Sequence, residues 1–276
     1  MDFSDRFIVK PGTTVDLDRI DSSFKHGHES EAEAAAELEK DKARLHELQG
    51  LLYAENARSL LVCLQGMDTA GKDGTISHIF GAMNPQGCRV TSFKSPSAEE
   101  LSHDFLWRVH RATPAKGEVE IFNRSHYEDV LVVRVHKLVS QAVWSERYDQ
   151  INAFEGELAA EGTHVLKFFL HISKQEQLKR FKARLDEPAK RWKISETDYA
   201  ERKHWDDYIE AYDDALSRCS TKHAPWFVIP GDHKWFRNLA IARILVEQLE
   251  RLGMHYPKPT VDLDRIRKEY HEAKNG

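Results

Sequence analysis

Cysteine is scarce: three residues in a chain of 276 are too few and too scattered for a disulfide framework. Cys63, Cys88 and Cys219 have no Cys or His neighbours at ligand spacing, so no zinc site is expected, and buried, reduced thiols are the reading that follows. Long apolar runs are missing too. Mean hydropathy is −0.60, no stretch approaches the roughly 18 apolar residues of a membrane span, and the opening MDFSDRFIVKPG contains no apolar signal core. No membrane partner and a cytoplasmic location are therefore expected. No Gly/Ser-rich or Pro-rich linker divides the chain, which points to a single unit over residues 1–276. A net charge of −5 argues against a nucleic-acid coat, and no nucleic-acid partner is expected.

What is present fits one sizeable core. With 41% hydrophobic and 31% charged residues, the chain is long enough to bury it and short for two catalytic domains. Residues 29–58 read as a long helix, because Leu38, Leu45, Leu48 and Leu52 share one face; with the preceding residues it makes an N-terminal arm of about 1–58. The run SLLVCLQG at 59–66 is continuously apolar from Leu60 to Leu64, as expected of a strand buried on both faces of a parallel sheet. Similar runs recur at Cys88–Phe93, Val119–Phe122, Val165–His171 and Trp226–Ile229, spaced for crossover helices. The expected fold is α/β, a parallel sheet covered by helices on both faces. A helix over His233–Leu252 is assigned packing only, and the polar tail after Tyr256 an arm. The hexapeptide VDLDRI occurs twice, at Val15–Ile20 and Val261–Ile266, and both copies are expected to pack on the body.

After the first strand, residues 66–75 read GMDTAGKDGT, which fits G-x-x-x-x-G-K between a strand and a helix. Glycines there let backbone N–H groups converge on phosphate oxygens at a positive helix end. Lys72 would hold a phosphate as a point charge. Asp73 stands where a Ser or Thr usually reaches Mg²⁺, so another oxygen must serve. Asp68 is the candidate metal ligand, since a hard cation prefers carboxylate oxygens; an exposed turn carboxylate is its plainer reading. Asp73 would favour the helix start through its charge. A second element, EVEIFNRSHYED at 118–129, runs from a strand straight into polar residues. Arg124 there either neutralises charge on a transferred phosphoryl group or pairs with Glu128, while Glu128 or Asp129 could reach metal through water or orient a nucleotide. His103, His110, His126 and His136 are not expected to form a metal site.

From Lys174 to Lys193, eight basic residues face only Glu176, Asp186 and Glu187. Leu178, Phe181 and Leu185 give this stretch one apolar face, and Pro188 breaks it. A mobile helical lid over about 174–205 is expected, with Trp192 and Trp205 packing inside it.

Three motifs, GMDTAGKDG at 66–74, FNRSHYEDVLVVRVH at 122–136 and RLDEPAKRWK at 184–193, are together similar to the polyphosphate kinase 2 family, and the similarity runs over about residues 7–256. The resemblance implies a P-loop kinase-like fold similar to thymidylate kinase, Mg²⁺, a homodimer or homotetramer, and inorganic polyphosphate and an adenine nucleotide (AMP, ADP or ATP) as substrates. It carries catalytic roles onto Asp68, Lys72, Arg124 and Arg184, and Asn123 is counted with them although it departs from the family's pattern. Substrate binding is expected at Gly66, Met67, Thr69, Ala70, Gly71, Asp73, Gly74 and Thr75 of the loop and at His126 and Glu128, and the positive charge that continues beyond Pro188 adds Lys190, Arg191 and Lys193 as guides for the phosphate chain. Many members carry Asp at position 123, where this chain has Asn. The run from Asn123 to Glu128 is similar to the subgroup that phosphorylates both AMP and ADP. An ATP-dependent nucleoside monophosphate kinase and a non-catalytic nucleotide-binding module are the competing readings.

Overall fold

The computed structural model describes residues 2–275; Met1 and Gly276, the ends of the expected unit, lie outside the described residues. A short helix α1 (Phe3–Phe7) precedes the long α2 (Glu31–Glu55). Ser30 starts α2 by accepting from the Glu33 N–H at 3.3 Å, and Asn56, at φ +51°, ends it. The remainder runs β1 (Ser59–Gln65), α3 (Lys72–Ile79), β2 (Cys88–Ser92), the one-turn helices α4 (Ala98–Leu101) and α5 (Trp107–His110), then β3 (Val119–Asn123) and α6 (Val132–Val135). It continues through α7 (Gln141–Ala160), β4 (Thr163–His171), α8 (Lys174–Asp186), α9 (Glu196–Arg202), α10 (Trp205–Cys219), β5 (Trp226–Pro230), α11 (Lys234–Arg251) and α12 (Leu263–Asn275). None of the described helices is long and apolar enough to cross a membrane.

The five strands form one parallel sheet in the order β2-β3-β1-β4-β5, as the apolar runs predict. Parallel pairing needs crossovers, and these put helices on both faces. Leu60, Val62 and Leu64 of β1 pack with Leu45, Leu48 and Leu52 of α2 and Ile79 of α3. The alternate side chains Leu61 and Cys63 pack with Phe154 of α7 and Val109 of α5. Each such fully buried side chain contributes about 1.5–3 kcal/mol, so the central strands anchor the molecule. All strand C-termini share one edge, which is where open α/β sheets place their chemistry.

The two VDLDRI copies do not behave alike. In the first, Val15 and Leu17 are buried, and their N–H groups donate to Ser217 Oγ at 2.8 Å and Asp213 Oδ1 at 2.9 Å of α10. Packing of the second is not observed: Asp262 caps the start of α12 instead, and Val261, Leu263 and Ile266 are exposed. Val and Leu of the hexapeptide are buried only where α10 offers a hydroxyl and a carboxylate to their backbone.

Candidate active site

β1 delivers the chain to Gly66 at φ +152°, and the loop continues through Thr69 (φ +66°) to Gly71 (φ +109°) before α3 begins. A Cβ on Gly66 would stand 2.8 Å from the Leu170 carbonyl oxygen, and one on Gly71 only 1.9 Å from Arg237 Nη1, so both positions need glycine. No side chain caps α3, leaving its N-terminal N–H groups to serve an anion. Lys72 is buried and donates to the Gly66 carbonyl at 2.7 Å. Burial, and then the Arg124 charge, push its pKa down to about 8 against the opposing pull of Asp68, Glu128 and Asp73.

Across the loop, β3 ends at Asn123, whose amide donates to Asp73 Oδ1 at 2.9 Å. An aspartate at 123 would set two carboxylates together; asparagine turns that repulsion into a hydrogen bond. Arg124, at φ +62°, donates to Asp68 Oδ1 at 2.9 Å and lies 3.9 Å from Glu128. Burial raises the Glu128 pKa even though Arg124 and Lys72 oppose the rise. The pairing reading of Arg124 therefore holds, with Asp68 joining Glu128 as a partner, and the pair stands at the phosphate loop.

A cavity of about 1040 Å³ opens above this edge, and Asp68, Thr69, Gly71, Lys72, Asp73 and Gly74 form its floor. Asn123 and Arg124 close one side. Arg184, Lys190 and Lys193 close another, from α8 and the 3-10 turn at Pro188–Lys193 that Pro188 creates by forcing Glu187 extended. Arg184 donates to Asp198 at 2.9 Å and to the Lys193 carbonyl at 3.1 Å, which ties the broken segment together.

Other expected residues stand elsewhere. Met67, Ala70 and Thr75 are buried beneath the loop, shaping it without reaching the cavity by their side chains. Arg191 turns back to the Leu185 carbonyl at 3.0 Å. His126 does not face substrate: it is fully buried, 3.0 Å from Glu155, because the chain reverses at Arg124 and sends residues 126 and 127 into the core. Trp192, expected to pack within the lid, is 78% exposed, with Lys193 Nζ 5.1 Å from its ring centre. Of the apolar trio only Phe181 is buried, while Leu178 and Leu185 are exposed.

The cavity also has cations that the sequence reading missed. Arg180 is buried and clamps the loop from α8, donating to the Thr69 carbonyl at 2.8 Å and the Ala70 carbonyl at 3.0 Å. Arg237 of α11 donates to the same Ala70 oxygen at 3.0 Å, and burial, then Arg180, pull its pKa down to about 9. Lys234 beside it is also shifted down, by burial and then by Arg180, Lys190 and Arg237. The helix over 234–251 thus does more than pack. Its signal was legible: Lys234 and Arg237 put cations in the first turn, where the helix dipole favours acids, and such broken local rules cluster at functional sites.

The polyphosphate kinase 2 family profile matches residues 28–256. The AMP/ADP-polyphosphate phosphotransferase of Meiothermus ruber is 51% identical over 265 residues, covering 95% of this chain and 98% of the relative. The ADP-polyphosphate phosphotransferase of Rhodopseudomonas palustris is 46% identical over 267 residues, covering 92% of each. The crystal structure of polyphosphate kinase 2 from Arthrobacter aurescens TC1 superposes with a TM-score of 0.95 at 44% identity, over 99% of this chain and 97% of that one.

Proposed function

Because this chain belongs to the polyphosphate kinase 2 family, we infer that it transfers phosphoryl groups between inorganic polyphosphate and AMP or ADP. The observation that carries the reading is the line of six cations leading away from the phosphate loop, Arg237 and Arg180 behind it, then Lys234, Arg184, Lys190 and Lys193 along the wall; Arg180, Arg184 and Lys190 have carboxylate partners in Glu176, Asp198 and Glu187. Among the described residues, Arg237 has no carboxylate partner. The cavity of about 1040 Å³ stands at the upper end of the about 300–1,000 Å³ usual for small-molecule sites, which agrees with a large substrate. An ATP-dependent monophosphate kinase needs no such extended track.

Lys72 and Arg124 supply positive charge where the transferred group gathers negative charge, and stabilisation of that kind contributes most to the rate of such reactions. No side chain at the loop pairs a nucleophile with an evident base, so transfer is direct and in line, without a phosphoenzyme. Arg184 reaches phosphates near the reacting centre, while Lys190 and Lys193 guide the chain further out; Arg191, turned back to the Leu185 carbonyl, takes no part. The segment 174–205 acts as a lid on a single catalytic domain, whose N-terminal arm, about 1–58, walls the cavity through α2.

The donor set fits Mg²⁺. Among the described residues no cluster of three or more His, Cys, Asp or Glu could cage an ion, and Mg²⁺ characteristically takes one or two carboxylates plus substrate phosphates. Asp68 would hold it, with Asp73 nearby, and it would supply neutralisation of phosphate charge. Asp68 and Arg124 pair with each other at 2.9 Å, so holding the ion on Asp68 would leave the Arg124 guanidinium to a phosphate. The exposed Leu263, Ile266 and Tyr270 of α12 support a homodimer or homotetramer, and the substrates fit a cytoplasmic enzyme. Offering polyphosphate or ATP as sole donor to AMP tests the assignment: polyphosphate must support turnover, and turnover with ATP alone would favour the monophosphate kinase.

A further inference from the structure

Beneath the site lies a charged cluster that this chemistry does not use. Lys167 of β4, Glu155 of α7, and Tyr127 and His126 are all fully buried. Lys167 Nζ donates to Glu155 Oε2 at 2.5 Å, to the Cys219 carbonyl at 2.6 Å and to the Tyr127 hydroxyl at 2.8 Å. Glu155 Oε1 accepts from the Tyr127 hydroxyl at 3.0 Å and faces His126 Nε2 at 3.0 Å. The rings of Tyr127 and Trp226 flank the ammonium at 5.2 and 5.3 Å. Burial opposes the Glu155 charge, but Lys167 and His126 outweigh it and hold the carboxyl below its ordinary pKa.

Stability does not account for such a cluster, since apolar packing of the same volume is commonly as stable as a buried ion pair. What it has that apolar packing lacks is directional geometry. Two of its members directly follow the turn that carries Arg124. That residue holds a left-handed backbone, φ +62°, which a non-glycine side chain adopts only when its surroundings over-determine it. Ser125 pins one side of the turn, accepting from Gln65 Nε2 at 3.2 Å, and the cluster pins the other through His126 and Tyr127. We propose that Tyr127, Glu155 and Lys167 are positioning residues, whose buried hydrogen bonds hold the turn that points Arg124 at the phosphate loop.

The inference rests on the role given to Arg124 above, and a double-mutant cycle separates the two. Tyr127→Phe fills the same volume and removes one oxygen. In folded protein, verified by circular dichroism, it should lower kcat about tenfold while KM for polyphosphate stays within twofold, because the cationic track stands on other elements. In an Arg124→Ala background the same substitution should change the residual kcat by less than twofold, since what it positions is gone. Glu155→Gln should show the same non-additivity. An unchanged kcat in Tyr127→Phe, an equal tenfold loss with and without Arg124, or a Tyr127→Phe chain that fails to fold would each reduce the cluster to a stability element. Wild-type protein that makes no nucleotide product from polyphosphate would instead overturn the function reading, and this inference with it.

Discussion

The Arg124 guanidinium meets the Asp68 carboxylate at 2.9 Å across the mouth of the phosphate loop, with side chains 42% and 29% exposed. A pair this open to water contributes about 1 kcal/mol or less to stability. Asp68→Asn should therefore leave the melting temperature nearly unchanged while lowering kcat by about 100-fold or more, the scale of losing one preorganised electrostatic group, and raising the Mg²⁺ concentration needed for half-maximal rate. Thermal melts and Mg²⁺ titrations of the variant check this; unchanged Mg²⁺ dependence would remove Asp68 from the metal site.

Lys72 gives a pH signature. Its pKa falls from 10.5 to about 8 in the folded chain, so the unfolded chain binds the proton more tightly and stability rises with pH between those values. The stability difference between wild type and Lys72→Met should shift by about 3 kcal/mol across that window, in favour of wild type at high pH, as denaturant melts at pH 7 and above would read. In turnover, kcat/KM for polyphosphate should fall above about pH 8 as free Lys72 loses its charge, whereas kcat holds to higher pH because bound phosphate keeps the proton on.

Gly71→Ala should be disproportionately damaging. The new methyl would meet Arg237 1.9 Å away at a backbone φ of +109°, and strain of this kind costs about 1–3 kcal/mol. The protein should fold with a lowered melting temperature and lose nucleotide affinity at least tenfold, measured by calorimetry.

The lid cations divide by exposure. Lys190 pairs with Glu187 at 2.5 Å, but both side chains are largely open to solvent, so the contact is weak and screened by salt. Lys190→Ala with Lys193→Ala should raise KM for polyphosphate and flatten its salt dependence. Arg184, held by Asp198 and only 21% exposed, should on truncation to alanine mainly lower kcat. Unchanged polyphosphate KM in the double variant at low and moderate salt would make the segment a solvated face.

Much of this site was legible in order along the chain. Continuous apolar runs announced the strands, Gly66 to Lys72 announced the loop, and Pro188 announced the break between α8 and α9. What stayed hidden depends on reversals of the backbone. The positive φ of Arg124 sends His126 into the core, and no periodicity in a short loop reports that. Arg180 sits among exposed basic residues in the sequence yet turns inward to two loop carbonyls. The second VDLDRI copy shows the converse limit: identical residues pack in one place and lie open in another, because burial belongs to the partner surface as much as to the segment.

If polyphosphate is the donor and AMP and ADP are both acceptors at one site, a single incubation shows it. Purified protein with polyphosphate, Mg²⁺ and AMP as the sole nucleotide should form ADP first and then ATP, with neither formed by Lys72→Ala and no stable phosphorylated protein in polyphosphate alone. ADP phosphorylated while AMP stays untouched would contradict the two-acceptor assignment, and no product from either nucleotide would contradict the account as a whole.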